Sequence, residues 1–217
     1  MIVDWEQAQR ASREVSGHVR DAPREQYRPL IGLTGYARTG KDTIARELQE
    51  AHGYTVRAFA DPLREMAGVI NPWLKCGPMM YRRYSAILDH YGYERAKAEV
   101  PEFREFLQRL GTEAVRNVLG IDTWVQLAER RLSEVNDPVV FVDARFENEA
   151  DMIRRNGGIV VQVVREGIGP ANDHASEVDQ PTADITVSND DPARVPAIAG
   201  ALVIASRRVL RLPPEEQ

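Results

Sequence analysis

Residues 35–43 read GYARTGKDT and stand between an apolar run at 30–33 and a helical pattern at 43–51. The order of strand, glycine loop and helix fits a phosphate-binding loop, in which glycines let backbone N–H groups turn toward phosphate oxygens. Lys41 adds a positive charge and the helix N-terminus adds a partial one, so a di- or triphosphate is the expected ligand. The alternative is an ordinary glycine turn, which the flanking strand and helix disfavour.

Asp42 stands where this pattern normally has a serine or threonine that binds Mg²⁺. A carboxylate beside a triphosphate is repelled unless it faces the metal ion, its water shell or a protein donor. We therefore expect Asp42 to turn away from the phosphates. The next residue, Thr43, is expected to face the phosphates or the metal ion.

The composition is that of a soluble globular protein, with 43% hydrophobic and 28% charged residues in a chain of 217. A net charge of −5 argues against a general nucleic-acid binder. The single cysteine, Cys76, excludes an intramolecular disulfide and fits a reducing cytoplasm. The sequence has no apolar run long enough to span a membrane, and residues 1–20 lack the apolar centre of a signal peptide. A cytoplasmic protein without a membrane partner is predicted.

Further apolar runs predict strands at 54–60, 138–143, 159–164 and 185–187, in addition to the one at 30–33. Helical patterns separate them. The prediction is therefore a three-layer α/β fold, with a mostly parallel sheet of about five strands and helices on both faces. Residues 1–29 are predicted as a polar helical extension, and residues 30–217 as the main domain.

Charged residues follow two of these strands, at the edge of a parallel sheet where ligands bind. Asp61 and Arg64 follow the second strand, and Asp143 and Arg145 follow the most apolar one. A phosphate-binding-loop enzyme uses an acid in the position of Asp143 to hold Mg²⁺ or its water shell. Both aspartates could instead cap helices.

The segment 71–135 is predicted to form an inserted helical lid and acceptor region. Within it, residues 79–84 read MMYRRY, which is typical of a flap over a phosphorylated substrate or of a solvated helix with Met and Tyr in the core. A longer helical pattern at 103–119, interrupted by Gly111, carries Arg104, Arg109 and Arg116. A kinase needs such cations around the transferred phosphoryl group, although any one of them is more often a charge on a solvated face.

Residues 172–177 read NDHASE and form a predicted loop after the strand at 159–164. No G-x-S-x-G motif accompanies the histidine and serine, so a hydrolase is disfavoured. We expect His174 and Glu177 to contact a substrate or to order the loop.

Six stretches appear in the order found in one protein family and cover most of the chain from residue 30 to the last strand: GYARTGKDT, LQRLGTEAVRNVLGIDTWV, VVFVDARFENEA, GGIVVQVVRE, DHASE and ITVSNDD. Together they resemble the bacteriophage deoxynucleoside monophosphate kinases. The loop of that family likewise reads Gly-Lys-Asp-Thr, which accounts for Asp42. The resemblance implies a P-loop kinase fold, ATP and Mg²⁺ as cofactors, and a deoxynucleoside monophosphate (dNMP) as acceptor.

By position, the resemblance implies that residues 38–43 hold the ATP phosphates and that Trp124, Asp143 and Arg165 are substrate or catalytic contacts. The residues predicted to bind the cofactor are Gly35, Arg38, Thr39, Gly40, Lys41, Asp42 and Thr43. The predicted catalytic residues are Lys41, Arg104, Asp143, Arg145 and Arg165. The predicted substrate-binding residues are Asp61, Arg64, Trp124, Asp143, His174 and Glu177, and the predicted metal ligands are Thr43 and Asp143.

The predicted activity is transfer of the ATP γ-phosphoryl group to a dNMP, in the host cytoplasm if the protein is encoded by a phage. The alternatives are a P-loop kinase of another small metabolite, such as dephospho-coenzyme A, and a nucleotide-binding module without transfer chemistry. The expected partners are small molecules. The sequence leaves the preferred base open, and it leaves open whether the protein is a homodimer.

Overall fold

Strands and helices alternate along most of the chain. The structure is a computed structural model that describes residues 28–169 and 180–209. In chain order the elements are β1 (Leu30–Thr34), α1 (Lys41–His52), β2 (Thr55–Arg57), α2 (Asp61–Ile70), β3 (Trp73–Gly77), β4 (Met80–Arg83), α3 (Tyr84–Tyr91), α4 (Tyr93–Glu99), α5 (Pro101–Gln108), a π-helical segment (Arg109–Arg116), a helical turn (Asn117–Leu119), α6 (Thr123–Leu132), β5 (Val139–Phe141), α7 (Glu147–Arg155), β6 (Ile159–Val164), β7 (Ile185–Ser188), a 3₁₀ turn (Pro192–Arg194) and α8 (Val195–Val209).

The five predicted strands form one parallel sheet in the order β2-β5-β1-β6-β7. The central strand β1 pairs with β5 on one side and with β6 on the other. All residues of β1 and β5 are buried, as expected for central strands of a parallel sheet covered on both faces. The α/β fold predicted from the sequence is confirmed.

Alternate residues of β1 face opposite layers of helices. Ile31 and Leu33 belong to a core that includes apolar residues of α1 and α8. Between them, Gly32 faces α7, because a Cβ at this glycine would lie 2.2 Å from Cδ1 of Ile153. The sheet therefore lies between helices on both faces, and its carboxyl edge holds the loop that follows β1.

The described chain divides into two compact units. The sheet unit comprises the described residues up to 58 and from 131 onward, and the helical unit comprises residues 59–130. The predicted extension at the N-terminus lies outside the described residues, apart from positions 28 and 29. No helix in the described part of the chain is both long and apolar enough to cross a membrane.

The helical unit contains an antiparallel hairpin, β3–β4, that was not predicted from the sequence. The interpretation of residues 79–84 as a helix with Met and Tyr in the core is wrong for most of this segment. Met79 is 96% exposed with φ 56° in the turn, and Tyr81 on β4 is 56% exposed. Only Tyr84, the first residue of α3, is buried in the core.

Gly111 does not interrupt the helical pattern as the sequence suggested. The helix continues through it in a π-helical conformation, with Gly111 buried. A Cβ at this position would lie 3.2 Å from Cδ2 of Leu63 on α2. The glycine therefore permits close packing of α2 against the π-helical segment.

Candidate active site

The loop between β1 and α1 has the backbone conformation that its glycines allow. Gly35 (φ 128°) and Gly40 (φ 95°) occupy regions that side chains disfavour, and Arg38 (φ 68°) is left-handed. A Cβ at Gly35 would lie 2.3 Å from the carbonyl oxygen of Val163 on β6. The loop is therefore packed against the sheet with no room for larger residues at this position.

Lys41 is the first residue of α1 and lies over the loop. Its Nζ donates to the carbonyl oxygens of Gly35 at 2.6 Å and Tyr36 at 2.7 Å. Thr39 is 1% exposed, and its hydroxyl donates to the carbonyl of Tyr36 at 3.0 Å. The ammonium group is thus held beside the N-terminus of a helix, where backbone N–H groups favour an anion.

Asp42 and Thr43 are both exposed in the first turn of α1. The acidic side chain interacts favourably with the positive end of the helix dipole, which gives Asp42 a structural reason to be there. The exposed hydroxyl of Thr43 is accessible to a ligand or ion at the same helix end. The orientation expected for each toward phosphate stays a prediction.

Asp143 and Arg145 follow β5, the strand that pairs with β1. The register pairs Gly32 with Phe141, and the N–H of Ala144 donates to the carbonyl of Leu33 at 3.1 Å. The turn that contains Asp143 and Arg145 therefore lies beside the end of β1, next to the start of the loop. The structure brings these two predicted site residues to the loop's edge of the sheet.

Glu149 on α7 holds this turn in place and was not identified as important from the sequence. It is 3% exposed, and Oε2 accepts from the backbone N–H groups of Arg145 at 2.8 Å and Phe146 at 3.2 Å. Its own N–H donates to the carbonyl of Phe146 at 3.1 Å. A glutamate three residues after the helix N-cap is the sequence signal for such a reciprocal cap.

Arg165 is exposed directly after β6, the other neighbour of β1. The segment that carries it is bound to the chain after β7, because the N–H of Glu166 donates to Oδ1 of Asp190 at 2.6 Å. The Ser188 hydroxyl also donates to Asp190, and these bonds hold the pKa of this carboxyl below its usual range. Arg165 therefore lies at the same carboxyl edge of the sheet as the loop.

Asp61 and Arg64 lie at the start of α2 in the helical unit. Oδ1 of Asp61 and Nη1 of Arg64 are 3.2 Å apart, and the guanidinium lies 4.5 Å from the centre of the Tyr93 ring. The N-cap position of α2 is Ala60, and Asp61 is the acidic residue that begins the first turn, where a carboxylate interacts favourably with the helix dipole. The site role and the structural role of Asp61 both stay predictions. A cation held by a carboxylate and an aromatic face has a fixed position from which it can meet an anion.

Trp124 and Arg104, also in the helical unit, differ in exposure. The indole of Trp124 is 5% exposed and donates to the carbonyl of Gly111 at 3.1 Å, which fastens α6 to the π-helical segment. Arg104 is exposed on α5. Their substrate and catalytic roles stay predictions. His174 and Glu177 lie outside the described residues.

A family model for deoxynucleotide monophosphate kinases matches residues 79–194. A protein of Acanthamoeba polyphaga mimivirus named "Putative deoxynucleotide monophosphate kinase" is 32% identical over 169 residues, which are 69% of this chain and 81% of that protein. The chain belongs to the deoxynucleotide monophosphate kinase family. Because the matched residues of the family model begin after the loop at 35–43, the loop geometry is an independent indication of nucleotide binding by this family member.

Three solved structures are similar over most of the chain, at low identity. Shikimate kinase from Aquifex aeolicus is 13% identical with a TM-score of 0.43, covering 84% of this chain and 98% of that one. Shikimate kinase from Acinetobacter baumannii (13%, TM-score 0.42, 83% and 93%) and TT1252 from Thermus thermophilus (17%, TM-score 0.43, 82% and 97%) are similar to the same degree. These TM-scores are low, so the fold of this family member is defined by its own strand order and not by these similarities.

The residues beside the loop fit a magnesium ion that is shared with a nucleotide. Within residues 28–169 and 180–209, no three His, Cys, Asp or Glu side chains cluster as a metal site. Mg²⁺ bound with nucleotides takes one or two protein oxygens and completes its shell with phosphates and water. The hydroxyl of Thr43 and the carboxylate of Asp143 are oxygen donors of that kind.

Proposed function

We propose that this protein transfers the γ-phosphoryl group of ATP to the 5′-phosphate of a dNMP, giving ADP and the deoxynucleoside diphosphate. The observation that carries the proposal is the glycine-lysine loop at the end of the central strand, beside the turn that bears Asp143 and Arg145. The family match to deoxynucleotide monophosphate kinases supports the choice of acceptor.

The loop supplies the donor site. Backbone N–H groups of residues 38–43 and the N-terminus of α1 favour the β- and γ-phosphates of ATP. Phosphate oxygens would compete with the carbonyls of Gly35 and Tyr36 for the ammonium group of Lys41. Because this ammonium is held within the loop, its charge lies close to the position proposed for the transferred group.

The metal ion belongs to the same site in this proposal. Thr43 and Asp143 would hold it, and when bound it neutralises charge on the β- and γ-phosphate oxygens. The pairing of β5 with β1 and the hydrogen bonds of Glu149 to the turn after β5 support this proposed role of Asp143.

The acceptor side requires positioning rather than proton abstraction. A 5′-phosphate is already ionised near neutral pH, so no strong general base is needed. Arg145 and Arg165, at the carboxyl edge of the sheet, are proposed to neutralise the oxygens of the transferred group. Arg104 keeps its proposed catalytic role. Asp61, Arg64 and Trp124 in the helical unit are proposed to bind the acceptor nucleotide. His174 and Glu177 keep their predicted role as substrate contacts.

The experiment measures ADP release with ATP, Mg²⁺ and each of dAMP, dCMP, dGMP, dTMP and 5-hydroxymethyl-dCMP. We expect turnover that depends on an added dNMP, with a preference among the bases. The Lys41→Ala variant should lose roughly a thousandfold in kcat/KM, because a preorganised donor to the transferred group is removed. Arg46→Ala, which removes an exposed cation from the same helix, should stay within about twofold of the native protein.

ATP binding without turnover on any dNMP would contradict the proposal. If another metabolite such as dephospho-coenzyme A were phosphorylated instead, that compound would be the acceptor. If no acceptor were phosphorylated, the protein would be a nucleotide-binding module. Equal losses in Lys41→Ala and Arg46→Ala would contradict the role of the loop lysine.

A further inference from the structure

Asn189 directly follows β7 and lies against the loop at 35–43. Its side chain is buried, with 5% exposed, and Nδ2 donates to the carbonyl oxygen of Thr39 at 2.8 Å. Its backbone N–H donates to the carbonyl of Val164, the last residue of β6, at 2.9 Å. One residue therefore connects the loop after β1 to the ends of β6 and β7.

The hydrogen bond to Thr39 fixes the direction of a backbone donor in the loop. A trans peptide unit is planar, and its carbonyl and N–H point in opposite directions. The described chain has no cis peptide bonds, so the N–H of Gly40 points away from Asn189 while the Thr39 carbonyl points toward it. This N–H immediately precedes Lys41 at the N-terminus of α1. Asn189 thus directs a donor at the proposed phosphate site without contacting the phosphate itself.

Packing alone does not explain an amide at this position. Oδ1 of Asn189 is buried without a hydrogen-bond partner among the described residues. An unpaired buried acceptor lowers stability, and a leucine of similar size would avoid that cost. A Cβ on Gly40 would lie 2.0 Å from Nδ2, so the amide also occupies the space beside this glycine. The donor offered to Thr39 is what distinguishes asparagine from an apolar residue here.

The residues that follow hold Asn189 in place. Oδ1 of Asp190 accepts from the N–H of Glu166, next to Arg165. Oδ1 of Asp191 accepts from the N–H of Ala193 at 2.9 Å, in the turn before α8. The backbone that follows Asn189 is therefore anchored, and the amide of Asn189 reaches the loop from a fixed position.

We propose that Asn189 is a positioning residue for the nucleotide phosphates, acting through the Thr39–Gly40 peptide unit. This inference rests on the proposed function, because it assumes that the loop binds the phosphates of ADP and ATP. It predicts that the loss of the amide weakens phosphate binding while the acceptor site remains intact.

The test compares ADP affinity, measured by titration calorimetry, between the native protein and Asn189→Leu. Affinity should fall about tenfold, because a misdirected donor no longer meets the phosphate. The KM for ATP should rise by a similar factor, and the KM for the dNMP should be unchanged. Asn156→Leu is the matched control, since Nδ2 of Asn156 also donates to a backbone carbonyl, that of Met152, at 2.8 Å. This control should bind ADP as the native protein does.

Asn189→Ser, which removes the amide but keeps a small polar side chain, should show the same loss and replaces the leucine variant if that one does not fold. Native ADP affinity in either folded variant would overturn the inference, as would a lowered thermal midpoint with unchanged affinity. A native protein that binds ADP but phosphorylates no dNMP would overturn the proposed function and leave the ADP comparison valid. A native protein that does not bind ADP would overturn both.

Discussion

The sheet unit and the helical unit hold their apolar residues in different ways. In the sheet unit, β1 and β5 are buried along their whole length, and the loop after β1 is packed so closely that only glycine fits at two positions. In the helical unit, a hairpin exposes large side chains, including Trp73 at 59% and Met79 at 96%. In the sheet unit, close packing holds the backbone of the loop in one conformation. In the helical unit, large side chains of the hairpin are exposed.

This difference suits two parts of the proposed function, which are the binding of phosphate groups and the selection of a base. Phosphate groups are common to all nucleotides, so a site for them can be made from backbone N–H groups that a rigid sheet holds in place. Bases differ in their edges, so a site that selects among them needs side chains. We therefore expect substitutions near the loop to act through the backbone, and substitutions in the helical unit to act through the groups they remove.

The largest contrast is expected between two glycines of positive φ, Gly40 in the sheet unit and Gly92 in the helical unit. Gly40→Ala should lower kcat/KM by about a hundredfold, because its Cβ would meet Asn189 at 2.0 Å and displace the loop. Gly92 has φ 69° and ψ 166°, and nothing lies within 4 Å of an added Cβ, so Gly92→Ala should cost about 1–3 kcal/mol of backbone strain without a clash.

The measurement is turnover with ATP and the preferred dNMP, together with thermal unfolding of both variants. Both variants should remain folded at the assay temperature, and only Gly40→Ala should lose most of its activity. A comparable loss of activity in Gly92→Ala would show that the helical unit also depends on a fixed backbone, and the contrast would be broken.

The sheet was predictable from the sequence because β1, β5 and β6 are largely apolar and the short strands β2 and β7 are rich in β-branched residues. The hairpin was not, because Trp73, Met80 and Tyr81 look like core residues and are in fact 59%, 47% and 56% exposed. Its turn includes Met79 at φ 56°, a conformation that a methionine does not signal in advance.

Sequence motifs found the loop, and the strand ends located Asp143, Arg145 and Arg165 at one edge of the sheet. The positioning residues were missed because their contacts are not encoded in local spacing. Asn189 contacts Thr39, which is 150 positions away in the chain. Glu149 belongs to a local pattern, but its N-cap partner is Phe146 rather than the usual serine or threonine, which hides the signature.

An intermediate effect is expected at Glu149, which supports the turn of Asp143 and Arg145. Glu149→Ala removes the acceptor of two backbone N–H groups in a buried site and should lower the free energy of unfolding by about 1–3 kcal/mol. Activity should fall with it, since Arg145 loses its anchor. Glu149→Gln keeps an acceptor oxygen and should recover most of the loss, as measured by urea unfolding and by kcat/KM. Equal losses in both variants would show that the charge matters and not the acceptor.

The smallest effect is a difference in stability between substitutions of two buried tyrosines, one from each unit. The hydroxyl of Tyr54 pairs with Ser206 at 3.0 Å, whereas the hydroxyl of Tyr84 has no hydrogen-bond partner among the described residues. Near pH 7, Tyr54→Phe should therefore cost about 1 kcal/mol, and Tyr84→Phe should be neutral or slightly stabilising. Thermal unfolding of the two variants measures this difference, and a larger loss in Tyr84→Phe would contradict it.

The same pair gives a test at alkaline pH. Burial raises the pKa of Tyr84 to about 12 from its usual value of 10.0, so the folded protein keeps a proton that the unfolded chain releases. The stability from this group is complete below pH 10 and is lost as the pH rises to 12. Tyr84→Phe should flatten that part of the stability profile. Burial also raises the pKa of the Tyr54 hydroxyl, an effect that its hydrogen bond with Ser206 opposes. Tyr54→Phe should leave the contribution of Tyr84 in place. If Tyr84→Phe leaves the slope between pH 10 and 12 unchanged, the hydroxyl is solvated in the folded protein and the helical unit is more open there than its packing indicates.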